Sequence, residues 1–277
     1  MDTAIFSLII VILGIVEGTT IVGICCRDGV ILGADSRATG GNIVRDKNKV
    51  KIHRISPQLF CCAAGTAADC EQVARRMRMI VSMSGIENEL GGENENLASS
   101  YLVKSQIIQM FSRSGGSRPI ESSIILGGYD NNGPSLHQIS KTGVQQVSCC
   151  ASGSGQIDAI SSLESMRKVW GSPIRNEENK NDPYGTRSIF ENVLVDDAVK
   201  IIREAVRSGV MNDLGSGSYV DICVIRGPHD VQQWRENAEN GQRIALCSSS
   251  TGVFEGAVFK ELPSTVSITL PIRISEI

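Results

Sequence analysis

An α+β fold of two mostly antiparallel sheets packed face to face, with helices outside, is what this sequence predicts. Three observations point there. Short apolar runs broken by turn residues fill residues 20–64 and recur from 121 to 151. Each of these strand-like stretches is followed by segments whose apolar residues recur at helical spacing. Strands, helices, strands, helices is the order expected when two sheets share a core and each keeps its helices on the outer side. The 277 residues suit one large domain or two small ones, with ample core.

The elements follow in order. The chain opens with an apolar run from Ala4 to Val16, short of the roughly 20 residues a bilayer span needs. Its length suits a signal peptide, but Asp2 stands where a basic residue belongs. Strands are expected at 20–26, 30–35, 42–44, 50–55 and 59–64, read together as one sheet, with Arg27-Asp28-Gly29 turning the first hairpin. Thr66-Ala67-Ala68-Asp69 is a capping-box signal for a helix with Val73, Met77, Ile80 and Val81 on its apolar face. Arg75, Arg76 and Arg78 read as the solvated face of that helix. Residues 85–96, acidic and containing glycine, read as a solvated loop.

A second helix is expected at 97–112, with Leu97, Tyr101, Ile108 and Phe111 on one face. Strands at 121–129, 135–140 and 145–151 make the second sheet, covered by helices near 155–170 and 189–209. The last of these carries Val195, Val199, Ile202 and Val206 at helical spacing. Residues 171–188, polar and holding Pro173 and Pro183, read as a loop insertion. A strand at 218–226 precedes a long tail, whose residues 265–274 alternate apolar and polar. Pro271 restricts that stretch to a sheet edge.

Composition excludes several functions. A net charge of −3 argues against a nucleic-acid binder. Gly153-Ser154-Gly155 and Gly215-Ser216-Gly217 lack both the lysine and the spacing of a phosphate loop. The nine cysteines include three adjacent pairs, Cys25-Cys26, Cys61-Cys62 and Cys149-Cys150, within apolar runs. Neighbours on a strand face opposite ways, which suits neither a metal site nor a disulfide framework and points to small core fillers in a reducing compartment. His53, His137 and His229 leave little material for a histidine-based triad or metal site, so neither metal nor cofactor is expected.

One stretch carries chemistry of its own. If the bond after Gly18 is cut, Thr19 gains a free α-amino group beside its hydroxyl, which puts nucleophile and general base on one residue. An α-amino group titrates at about 7.7–8.0, near working pH, whereas the uncut amide is no base. Asp35 ends an apolar run, and Lys51 lies where the chain can return to the head of the first strand. Paired there, the ammonium would favour the neutral amine and the carboxylate would fix the ammonium. Taken alone, an Asp–Lys pair is ordinarily a surface ion pair.

The joint pattern is more specific than its parts. Gly18-Thr19-Thr20-Ile21-Val22-Gly23, Gly33-Ala34-Asp35-Ser36-Arg37-Ala38-Thr39, Lys51-Ile52-His53, Cys61-Cys62-Ala63-Ala64-Gly65-Thr66-Ala67-Ala68-Asp69, Gly153-Ser154-Gly155 and Asn212-Asp213-Leu214-Gly215-Ser216-Gly217-Ser218 occur in that order. From about residue 18 to 226 the chain resembles the catalytic beta subunits of the 20S proteasome, and within them the beta-2, trypsin-like class.

That resemblance implies a four-layer αββα sandwich and a threonine-type endopeptidase acting on unfolded polypeptides. It implies a propeptide at 1–18 removed by self-cleavage after Gly18, a catalytic domain at 19–226 and a C-terminal arm at 227–277. Thr19 would be nucleophile and base, with Asp35 and Lys51 as charge partners. Ser154, Asp213 and Ser216 would surround the amine, and the Gly65 amide would serve the oxyanion. Substrate would meet Ala38, Thr39, Lys49 and His53, with Ala63, Ala67 and Glu71 shaping the side-chain pocket. Glu71 is the pocket acid, and Lys49, where the class has an uncharged residue, is placed to pair with it and weaken a preference for basic side chains. Partners would be other alpha and beta subunits of a stacked-ring particle in cytoplasm and nucleus, with no nucleic acid and no membrane. Two other readings stand beside this one: an inactive, structural ring subunit, and an N-terminal-nucleophile amidohydrolase acting on small amides outside any ring.

Overall fold

The computed structural model describes residues 18–41, 43–89, 105, 107, 122–130, 133–170, 193–227, 230–247 and 254–255. The first half of these comprises β1 (Ile21–Cys26), β2 (Gly29–Asp35), β3 (Ala38–Gly40), β4 (Ile43–Asp46), β5 (Ile52–Ser56), β6 (Leu59–Gly65) and α1 (Ala67–Glu89). After it come β7 (Ser122–Asp130), β8 (Gly133–Ser140), β9 (Gly143–Gln146), β10 (Cys149–Ser152), α2 (Gln156–Trp170) and α3 (Val195–Asn212). The described chain closes with β11 (Tyr219–Ile225), β12 (Val231–Asn237), β13 (Arg243–Cys247) and β14 (Phe254–Glu255).

Two sheets carry the molecule. One has seven strands in the order β10-β1-β2-β11-β12-β13-β14, the other five in the order β5-β6-β7-β8-β9, and β3 pairs with β4 in a separate ribbon. All the pairings are antiparallel. The period-2 alternation of strands sorts side chains into three apolar layers. Val22, Ile24 and Ile31 pack with Ile202 and Val206 of α3. Ile21, Val30 and Leu32 meet Phe60, Ile125 and Leu136 between the sheets. Cys61, Ile124 and Leu126 meet Val73 and Met77 of α1. Three cores separate four layers, and the expected αββα sandwich is the observed one. The paired cysteines split between faces as strand geometry requires, Cys61 to the helix side and Cys62 to the inter-sheet core.

Several sequence expectations need correction. Residues 20–64 do not form one sheet: β1 and β2 lie in the seven-stranded sheet, β5 and β6 in the five-stranded one. Strand β2 is buried along its whole length, and its second edge pairs with β11 rather than β5. The three strands expected at 121–151 divide as well, because β7, β8 and β9 extend the β5–β6 sheet while β10 pairs with β1. Helices α2 and α3 therefore cover the first sheet, not the second. Helix α1 continues through the expected loop as far as Glu89. Gly85 weakens the helix there by about 1 kcal/mol, which an established helix absorbs.

Beyond residue 226, where the sequence places the beginning of an arm, β12, β13 and β14 carry the first sheet outward. The expected face residues of the 97–112 helix, the 171–188 insertion and the 265–274 strand lie outside the described residues, although Ser105 and Ile107 are helical.

One contact bears on the site. Helix α3 crosses the head of β1 so closely that a Cβ on Gly209 would stand 2.3 Å from Thr20 Oγ1.

Candidate active site

A two-residue turn sets the first relationship. It pairs Cys26 with Gly29, and the register then brings Ala34 opposite Ile21. One step further, Asp35 N donates to Thr20 O at 3.0 Å and Thr20 N donates to Asp35 Oδ1 at 2.9 Å. Asp35 is thereby fixed beside Thr19. Its other oxygen, Oδ2, accepts the amides of Arg37 at 3.1 Å and Gly217 at 3.0 Å. A carboxylate this well satisfied tolerates complete burial.

Lys51 arrives from the other sheet, just before β5, and not on a neighbouring strand as the sequence suggests. Ser36 steers the approach: its Oγ donates to Lys47 O at 2.7 Å, and its carbonyl accepts Lys49 N at 2.9 Å. Lys51 Nζ donates to Asp35 Oδ1 at 2.6 Å, Thr19 Oγ1 at 3.0 Å and Gly18 O at 3.1 Å. These three acceptors match the three protons of an ammonium. Burial pushes the Lys51 pKa down, against the pull of Asp35.

Thr19 Oγ1 donates to Gly18 O at 2.7 Å, so the hydroxyl already faces the carbonyl of the bond before it. On the other side, Thr19 N donates to Ser154 Oγ at 2.9 Å, and Ser154 Oγ in turn donates to Asp213 Oδ2 at 2.5 Å. Ser216 Oγ donates to the same oxygen at 2.6 Å, leaving Thr20 Oγ1, 2.7 Å away, to donate to Ser216. Burial would raise the Asp213 pKa, but hydrogen bonds from Ser154, Ser216 and the Gly215 and Ser216 amides outweigh it and hold the carboxyl below its ordinary value. Ser216 thus reaches the Thr19 nitrogen only through Asp213 and Ser154.

The cleft beside Thr19 is lined by Ala38, Thr39, Lys49, His53, Ala63, Gly65 and Ala67, all of them sequence-expected. Thr39 Oγ1 accepts Gly18 N at 2.8 Å and so grips the residue before the Gly18–Thr19 bond. Gly65 ends β6 with a φ of 130°, which L side chains rarely adopt. Glu71 is not in the lining, and its ion pair is with Arg78 at 3.6 Å, not with Lys49. Glu71 and Arg78 lie seven residues, about two turns, apart on α1, and the charges of both reach His53 in the lining. His53 is pushed down to about 4 by burial and is neutral at working pH.

Sequence reasoning missed three contributors. Arg37 and Arg45 line the cleft. Arg37 stands inside a motif already singled out, while nothing in the sequence marks Arg45. Behind the site, Arg235 holds Asp221 through 2.6 and 2.7 Å bonds and reaches Asn48 Oδ1 at 3.3 Å. Burial lifts Asp221 to about 6 despite that pairing. The pair is legible only once Asp221 and Arg235 are known to face each other on β11 and β12. Among the described residues, no His, Cys, Asp or Glu cluster is disposed to hold a metal ion, and no helix is long and apolar enough to cross a membrane.

A threonine at the head of a sandwich strand, held between a buried lysine–aspartate pair and a serine–aspartate network, defines the class: the chain belongs to the proteasome subunit family, whose model matches residues 15–172. Beta subunits are among its relatives. The chain is 38% identical over 213 residues to proteasome subunit beta type-7-B of Arabidopsis thaliana, covering 76% of this chain and 67% of that one. It is 34% identical over 209 residues to proteasome subunit beta type-10 of Mus musculus (75% and 66%). It is 36% identical over 211 residues to a probable proteasome subunit beta type-2 of Encephalitozoon cuniculi (75% and 78%). The matched stretch thus spans about two thirds of the plant and mouse relatives.

Proposed function

We propose that this chain is a threonine-type endopeptidase subunit of a proteasome ring, working in cytoplasm and nucleus, and that it frees its own nucleophile by cleaving after Gly18. The observation that carries the reading is the single ammonium of Lys51 bonded to Thr19 Oγ1, Gly18 O and Asp35 at once.

In the uncut chain, Thr19 Oγ attacks the Gly18 carbonyl carbon while Lys51 stabilises charge developing on Gly18 O. The hydroxyl proton passes to the departing Thr19 nitrogen. The Gly18–Thr19 C–N bond breaks, leaving an ester on Oγ that water hydrolyses, and residues 1–18 depart as propeptide. Gly18 suits this step sterically, since a Cβ there would stand 1.9 Å from the Gly215 backbone.

The freed amine then takes the proton of Oγ as the hydroxyl attacks a substrate carbonyl, and it returns that proton to the leaving amine. Lys51 keeps the amine neutral by charge repulsion, Asp35 holds Lys51, and Ser154 with Asp213 orients the nitrogen. The Gly65 amide is the oxyanion donor, and Thr39 holds the polypeptide backbone. Membership of the family supports assembly with other alpha and beta subunits in a stacked-ring particle. Cleavage after basic residues, implied by the beta-2 resemblance, gains no support from a cleft whose described lining residues include no carboxylate.

The test is the N-terminus of this subunit in purified particles. A mature start at Thr19, abolished by Thr19→Ala, supports the reading; any other start overturns it.

A further inference from the structure

We propose that the cleft beside Thr19 selects polypeptides with a glutamate or aspartate side chain just before the cut bond. The inference rests on Thr19 being the nucleophile and adds the substrate class.

The charge inventory carries it. Among the described residues, the lining contributes the cations Arg37, Arg45, Lys49 and Lys51 and no carboxylate. Lys51 is compensated by Asp35. Arg37 is turned toward a carbonyl, its NH1 donating to Leu214 O at 3.3 Å. Arg45 lies over Gly40, where a Cβ would stand 2.1 Å from its Nε. Among the described residues, neither Arg45 nor Lys49 makes an ion pair.

The carboxylates within reach are otherwise engaged. Glu71, whose charge reaches His53 from outside the lining, is paired with Arg78, and the charges of Arg78 and Lys49 oppose it at His53; Asp46 Oδ1 accepts the amide of Asn48 at 2.8 Å. His53, also in the lining, carries no negative charge and is held neutral by burial. The remaining wall is small: Ala63, Ala67 and Cys70 leave room for a side chain to enter. An incoming arginine or lysine would meet like charge and lose its hydration with no partner, whereas a carboxylate finds two uncompensated cations.

Assembled particles supply the test. Hydrolysis of fluorogenic peptides ending in Glu, Leu or Arg is measured on parent particles and on particles carrying Thr19→Ala, and the difference isolates this subunit. The Thr19-dependent kcat/KM is expected to rank Glu above Leu above Arg, with a Glu-to-Arg ratio of at least about tenfold. Lys49→Ala should lower that ratio about fivefold, the size of one solvent-accessible charge pair. Should that variant fail to assemble, salt serves on the parent alone: raising it from 0.05 to 0.5 M shrinks the ratio if exposed cations create it. A Thr19-dependent preference for Arg, or a ratio indifferent to both Lys49→Ala and salt, overturns the inference. Loss of any Thr19 dependence sinks the nucleophile reading instead, so the two failures are distinguishable.

Discussion

Thr19 and Lys51 meet across the sandwich: Oγ1 heads a strand of the seven-stranded sheet, and the Nζ 3.0 Å from it belongs to the chain entering the five-stranded sheet. Thr19 and Lys51 are thus held by the inter-sheet core itself, and on the proposed mechanism anything that shifts one sheet against the other should be read out as activity.

Thr19→Ala is expected to leave the fold intact and to abolish both processing and Thr19-dependent hydrolysis, because the hydroxyl is small and its partners remain bonded elsewhere. Intact mass of the particle-borne chain would then retain residues 1–18; a processed Thr19→Ala chain would show that another protease makes the cut. Gly18→Ala should slow processing as well, since its Cβ would run into the Gly215 backbone.

Lys51→Ala should lower kcat by roughly two to three orders of magnitude, the usual loss when one oriented charge is removed from a dry site. Lys51→Arg should not restore it. A planar fork cannot place one donor among Thr19 Oγ1, Gly18 O and Asp35 Oδ1 as a point charge does. Arginine activity near the parent's would reduce the role of Lys51 to net charge.

His53 sets a pH dependence of stability. Its folded pKa of about 4 lies below the ordinary value of 6.5, so between those values the unfolded chain binds more protons than the folded one. Stability from this group therefore rises with pH from about 4 to 6.5 and is lost on acidification, with a slope of no more than about 1.4 kcal/mol per pH unit for a single proton. Denaturant unfolding of the parent and of His53→Asn across that window checks it: the variant should lack this component.

Gly209→Ala opposes two effects of known size. Alanine in a helix interior gains about 1 kcal/mol over glycine. Here the added Cβ would stand 2.3 Å from Thr20 Oγ1 and 2.6 Å from its Cγ2, and overpacking costs about 1–3 kcal/mol. The clash should win, lowering the melting temperature, and displacement of Thr20 from Ser216 should lower kcat with it. A stabilised, fully active variant would mean that α3 and β1 can separate without consequence.

Arg235→Met should cost about 3–5 kcal/mol, because it strands the buried Asp221 carboxylate. The double replacement Asp221→Leu with Arg235→Met should recover most of that loss, as measured by denaturant unfolding. An equal loss in the double variant would show that the pair contributes through its packing.

What the sequence determined by itself was local. A two-residue turn between two apolar runs fixes the register of β1 and β2, and so puts Asp35 beside Thr20 and its carboxylate next to Thr19. Helical periodicity named Val195, Val199, Ile202 and Val206 as one face, and that face is the one α3 buries. Strand alternation sent adjacent cysteines to opposite cores. Tertiary structure decided which strands share a sheet, because β2 and β11 are joined by pairing between segments far apart in the chain, which no local period encodes. The approach of Lys51 across the sandwich followed from that choice. So did the arginines that line the cleft, and the Arg235–Asp221 pair on a strand whose polar, irregular sequence carries little periodicity of its own. Charge partners are settled by where separate elements come to rest, and only the assembled core settles that.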